Sequence, residues 1–207
     1  WYHIVSTYNS TSGEGNIYVN GNLYDTITSS GLLNAGDQAL TVGYSGTTSW
    51  LHGSVDDFRL YNFALTENQI KFLYNQGQSA VFGSLGTSSD NSSSNSSTDS
   101  YCPPGQGTTC VGPVAEWKFD ENMGTTTVND ISGNNHTGTM NAMSSSDWVS
   151  GKYGRALNFD DMDNYISVTD DATFDLNSSS SYSWNFWIKP DSFEEWNGIW
   201  SQAGGLD

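Results

Sequence analysis

The side chains best placed to do chemistry are acids. Asp56 and Asp57 sit in the run Gly53-Ser54-Val55-Asp56-Asp57-Phe58-Arg59-Leu60-Tyr61. Its alternation predicts a strand with Asp56, Phe58 and Leu60 on one face and Val55, Asp57, Arg59 and Tyr61 on the other. A carboxylate turned toward an apolar face is costly unless it is paired or bound to a cation. Calcium suits it, because that ion takes many oxygen ligands from carboxylates and backbone carbonyls. Asp130-Ile131-Ser132-Gly133-Asn134-Asn135 offers similar oxygens in a tight turn, and Asp120 is a further acid. The metal candidates by residue type are Asp56, Asp120, Asp130, Ser132 and Asn135. The competing reading is an Asx-turn bonded within itself, plus a solvated acid.

Asp161 and Asp163, in Asp160-Asp161-Met162-Asp163, are candidates for a ligand or a second cation, against a merely solvated loop. Trp196 and Trp200 stand in a polar segment. Their rings could stack on the C–H faces of sugars or pack at the end of a core. His3, His52 and His136 have no spacing that makes a metal trio. No nucleophile elbow, phosphate loop or zinc-protease helix is present in the sequence.

The elements that must hold these residues are mostly strands. Trp1 to Tyr8, Asn16 to Val19, Leu23 to Ile27, Ala39 to Gly43 and Gly53 to Tyr61 read as β, with Asn20-Gly21 as a type I′ hairpin turn. Thr66 followed by Gln69 is a capping box, and Ile70, Leu73 and Tyr74 form an apolar stripe that Gly77 should close. Residues 84 to 100 are almost all Ser, Asn, Asp, Thr and Gly, too polar to offset the entropy of ordering, and read as a tether. Ala115 to Asp120, Ala156 to Asp160, Tyr165 to Val168 and Ser181 to Lys189 resume the strand pattern. In the last, Tyr182, Trp184, Phe186 and Ile188 share a face while Trp187 interrupts a polar one, as in a central strand covered on both sides. Strands divided by turns, with one capped helix, mean an all-β sandwich.

Composition narrows the setting. The chain has 207 residues, 35% hydrophobic and 14% aromatic, enough for a real core, and no apolar run long enough to span a membrane. A formal net charge of -17 excludes nucleic acid and anionic membranes as partners, since both need clustered Lys and Arg. The polar surface is mainly Ser, Thr, Asn and Gly, which points to export. Cys102 and Cys110 flank Pro103-Pro104-Gly105 and are expected to close a small disulfide loop in an oxidising compartment, the alternatives being two free thiols or an interchain pair. Sequons at Asn9, Asn91, Asn95, Asn135 and Asn177 are in keeping with that location.

Two sets of motifs resemble the laminin G-like domain of the concanavalin A-like lectin and glucanase superfamily, in its tandem bacterial and archaeal form. Trp1-Tyr2-His3-Ile4-Val5, Ile17-Tyr18-Val19-Asn20-Gly21 and Gly53 to Thr66 resemble its C-terminal half. Trp117-Lys118-Phe119-Asp120-Glu121, Asp130-x-Ser132-Gly133-Asn134, Gly151-Lys152-Tyr153-Gly154-Arg155 and Phe186-Trp187-Ile188-Lys189-Pro190 resemble its N-terminal half. The resemblance implies an antiparallel jelly-roll sandwich and a structural calcium between the Asp130 loop and the Asp56-Asp57 pair, which adds Asp57 to the metal candidates. Glycosidases of the superfamily carry a Glu-x-Asp-x-x-Glu strand, which is absent here, so no catalysis is expected.

The order of the halves implies residues 1–82 as the back of one sandwich, 83–113 as linker and 114–207 as the front of a second. Each would need partner strands. The expected function is a calcium-stabilised extracellular repeat for adhesion, or for recognising a carbohydrate or surface glycoprotein. The alternatives are a homopolymeric filament of mutually completing half-domains and an accessory module of a secreted hydrolase.

Overall fold

Asn20 and Gly21 both take positive φ, 51° and 77°, and so turn the chain tightly between its second and third strands. The computed structural model describes residues 1–28, 39–45, 49–75, 111–121, 124–176, 179–192 and 198–201. The first half supplies β1 (Tyr2–Asn9), β2 (Glu14–Val19), β3 (Asn22–Thr28), β4 (Leu40–Val42), β5 (His52–Tyr61) and α1 (Glu67–Tyr74). The second supplies β6 (Ala115–Trp117), β7 (Thr127–Val128), β8 (Gly138–Asn141), β9 (Trp148–Ser150), β10 (Arg155–Asp160), β11 (Tyr165–Val168), β12 (Tyr182–Pro190) and β13 (Trp200–Ser201). Thr66 caps α1 with the expected reciprocal bonds to Gln69, and Asn75 ends it; Gly77 lies outside the described residues.

The strands form two antiparallel sheets. The large one runs β3-β2-β1-β12-β5-β10-β9, with β6 also on β5, and the small one runs β13-β4-β11-β8-β7. Between them lie Val55, Phe58, Leu60, Trp117, Phe159, Ile166, Trp184 and Phe186, all buried. The all-β sandwich read from the residues is the observed architecture, and it is consistent with the antiparallel jelly roll that the resemblance implied. A second cluster, Val5, Tyr18, Tyr61, Leu65, Ile70 and Leu73, seats α1 on the outer face of the large sheet.

The partition into two separate incomplete sandwiches is corrected by the strand pairing. β12 lies directly against β1, from Tyr2 opposite Ile188 to Tyr8 opposite Tyr182, and also against β5. Residues 1–75 and 111–201 thus close on each other within one chain, because the apolar faces each half leaves open are complementary. The greater part of the anticipated linker, with Cys102 and Cys110, lies outside the described residues.

The facing expected for β5 also changes. A register shift opposite Asn185 and Trp187 makes Asp57 a bulge residue, with φ 51°. An extra residue reverses the alternation. Val55 therefore joins Phe58 and Leu60 in the core, and Asp56 pairs with Trp187 on the outer face instead of sharing a face with Phe58.

Candidate functional site

One edge of β5 changes partner at this bulge. His52 to Val55 pair with β10, while Phe58 to Leu60 pair with β6. In the break between β10 and β6 sit Asp56, Asp57 and the loop Gly151-Lys152-Tyr153-Gly154-Arg155. Asp120, just past β6, reaches the same loop.

Asp56 is 1% exposed. Its Oδ2 accepts the Tyr153 amide at 2.9 Å, while its Oδ1 is buried with no hydrogen-bond partner among the described residues. Asp120 Oδ1 accepts the Arg155 amide at 2.8 Å. Glycine is required on both sides of the loop. A Cβ on Gly154, whose φ is 62°, would stand 2.1 Å from Asp120 Oδ1, and one on Gly151 would stand 2.7 Å from Asp56 Oδ2. Burial pushes the Asp56 carboxyl up to about 7; the Tyr153 and, more weakly, the Lys152 amides oppose this, and the charges of Asp57 and Asp120 add to it. An ionised Asp56 thus lacks a counter-charge.

Asp57 is engaged elsewhere. Its Oδ1 lies 3.4 Å from Arg59, whose Nε donates to Glu116 Oε1 at 2.9 Å. Glu116 and Arg59 are cross-strand partners, and the Glu116 side chain is 1% exposed. Removing one member of such a buried set leaves an uncompensated charge. Arg59→Met is therefore expected to lower unfolding free energy by about 3–5 kcal/mol in urea melts, with part of it recovered in Arg59→Met/Glu116→Leu, where Asp57 still lacks Arg59. A loss under about 1 kcal/mol would show that the ion set contributes little.

Asp130 takes the bonded-turn form of the two readings. Its Oδ1 accepts the amides of Glu116 and Ser132 at 3.0 and 2.8 Å, and its Oδ2 accepts the His136 amide and the Ser132 hydroxyl, each at 2.9 Å. Burial raises this carboxyl, but the Glu116, His136 and Ser132 donors outweigh it and hold it below its usual range. Trp117 Nε1 donates to the His136 carbonyl at 2.7 Å, tying the turn to β6. Asn135 is exposed, with φ 65°. Of the six metal candidates, the β5 break brings together Asp56, Asp57 and Asp120, whereas Asp130 and Ser132 are spent on each other and on backbone. Among the described residues, no three Asp, Glu, His or Cys side chains converge closely enough to hold a metal alone.

An aromatic floor covers this region on the outer face. The Tyr153 ring meets Trp187 edge-on at 5.6 Å, Lys152 Nζ lies 4.6 Å from the centre of Trp187, and Tyr74 of α1 stacks on it at 5.8 Å. His3 packs 5.0 Å from the same ring. Burial drags the His3 imidazole down to about 4; the Asn185 side chain opposes this and Arg59 adds to it.

The ligand candidates separate. Trp200 pairs with Val42 and lays its ring 4.3 Å from Trp184, a packing role, and Trp196 lies outside the described residues. Asp161 and Asp163 sit in the exposed turn between β10 and β11, where Asp160 Oδ1 accepts the amides of Met162 and Asp163. Among the sequons, Asn9 and Asn135 are exposed, while Asn91, Asn95 and Asn177 lie outside the described residues. Sequence reasoning missed the pairing of each loop glycine with one acid. It also missed Tyr44, Trp50 and Tyr165, which meet on the small sheet.

The two sheets, their antiparallel order and the capped helix define a concanavalin A-like β-sandwich. Residues 1–71 match a laminin G family model, described as the concanavalin A-like lectin/glucanases superfamily. No curated protein and no solved structure matches the chain.

Proposed function

We propose that this sandwich is a non-catalytic, calcium-stabilised module of an extracellular or cell-surface protein, presenting its loops and sheet faces for adhesion or for recognition of a glycan or glycoprotein. The observation that carries the calcium part is Asp56: a buried carboxylate with one unpartnered oxygen, beside Asp57 and Asp120. A divalent cation bound there would supply the missing counter-charge. Asp56 and Asp120 would hold it, with backbone carbonyls and water making up the oxygen set. The Asp130 turn would act as a strut of the fold. The laminin G match and a net charge of -17 support the wider reading.

Calorimetric titration of the chelator-treated protein with calcium chloride tests this. Wild type is expected to bind one ion, Asp56→Asn none, and Asp120→Asn at least tenfold more weakly. A flat wild-type titration would remove calcium from the account.

The filament reading also has a specific observation in its favour. β4, β5 and β12 find all their strand partners in the opposite half of the chain, so a half from a neighbouring molecule can make the same ladders. Light scattering across a concentration series separates the two, since exchange between chains grows with concentration and closure within a chain does not.

A further inference from the structure

We propose that the outward face of the small sheet is a binding site for a neutral glycan, centred on Tyr44, Trp50 and Tyr165. The inference rests on reading the module as a recognition domain, and it does not depend on calcium.

β11 and β8 turn Ile166, Val168 and Met140 into the core, so Tyr165, Ser167, Thr139 and Asn141 face outward. Leu51 is buried and follows Trp50, which bridges to Tyr44 at the margin of the same sheet. The Tyr44 and Trp50 rings stack at 4.3 Å, and Tyr165 lies 5.9 Å from the first and 6.0 Å from the second. All three are partly exposed, so the trio is an aromatic surface rather than core. Beside it runs a polar lane. Asn141 stands opposite Tyr165, and its Nδ2 donates to Ser167 Oγ at 2.9 Å. Rings that offer a π face, next to a fixed amide and hydroxyl, match a sugar, whose C–H face is apolar and whose rim is hydroxyl.

Charge selects the class of sugar. The chain has only 6 Lys and Arg residues, and none lies on β4, β7, β8, β11 or β13, or in residues 43–51. The charges bordering the platform are carboxylates: the Asp161 amide donates to the Leu51 carbonyl at 3.0 Å, which puts the Asp160 to Asp163 turn next to Trp50. Carboxylates accept hydrogen bonds from neutral sugar hydroxyls and repel uronates and sulfates. Asp161 and Asp163 thereby gain a role beside the platform that neither carries in the turn alone.

Native gels containing soluble β-glucan, xylan or galactomannan, with alginate as the polyanionic contrast, test the site. Wild type is expected to be retarded by at least one neutral polymer and not by alginate. Trp50→Ala and Tyr165→Ala are expected to weaken that binding at least tenfold with unchanged far-UV circular dichroism. Trp50→Tyr, which keeps a ring, is expected to retain most of it and so separates lost stacking from lost folding. Retardation by no neutral polymer, equal retardation by alginate, or binding that survives Trp50→Ala would overturn the proposal. Calcium titration of the same samples reports separately on the β5 acids, so failure here leaves that reading standing or falling on its own result.

Discussion

Residues 1–75 and 111–207, produced as two separate chains, are expected to be unfolded alone and to assemble one to one when mixed. The reason is in the ladders. Among the described strands of the first half, β1, β2 and β3 pair with one another, whereas β4 pairs with β11 and β13, and β5 pairs with β12, β10 and β6. Of the described strands in the second half, β12 pairs with β1 and β5, and β6 with β5, all of these partners lying in the first half. A half standing alone therefore leaves the backbone groups of its central strand unbonded and exposes residues such as Leu60, Val55, Trp184 and Phe186, all at most 2% exposed in the closed sandwich. Fully burying each such side chain is worth about 1.5–3 kcal/mol, so the loss of these four alone is comparable with the whole net stability of an ordinary domain. The expected readout is no cooperative thermal transition for either fragment and a single one for the mixture, with dispersed amide resonances appearing only on mixing. A cooperative melt of either fragment alone would show that its core does not depend on the other's strands.

Much of this architecture was legible because short-range chemistry agreed with the fold. Asn20-Gly21, the Thr66–Gln69 box and the inward set Tyr182, Trp184, Phe186 and Ile188 each sit as their local pattern required. What escaped was set by tertiary contact. The Asp57 bulge is specified by the partner strand at Asn185 and Trp187, and alternation along β5 carries no trace of it, so Asp56 was assigned to the wrong face. β7, β8 and β9 are 2, 4 and 3 residues long, too short for a period to show. The aromatic platform joins positions 44, 50 and 165, which only sheet register brings together. The two halves were recognised separately, but their closure on each other depends on complementary faces that no local motif reports.

Asp56→Asn is expected to stabilise the metal-free protein and to lose most or all of that advantage when calcium is added. In the metal-free fold the Asp56 carboxyl titrates near 7, above its ordinary 3.8. Between those values the native state holds a proton that the unfolded state has released, so stability is fully present below 3.8 and is lost as pH rises toward 7. Three pK units correspond to at most about 4 kcal/mol. His3 runs the other way: held near 4 against an ordinary 6.5, it costs stability as pH falls through that window. The two slopes nearly cancel in wild type between about 4 and 6.5, and comparison of wild type with variant at each pH isolates Asp56. With chelator at pH 8, Asp56→Asn is expected to be more stable than wild type by about 2–4 kcal/mol, because a neutral amide replaces an unpaired buried charge. At pH 4.5 the two should lie within about 1 kcal/mol, since the acid is then protonated in the fold. With calcium at a hundred times its Kd, wild type gains about 2.7 kcal/mol that the variant cannot, and the order closes or reverses. Urea melts in the three conditions measure this. A variant less stable than wild type in chelator at pH 8 would mean that the Asp56 carboxylate already has a partner in the protein, and the case for a cation beside it would fall.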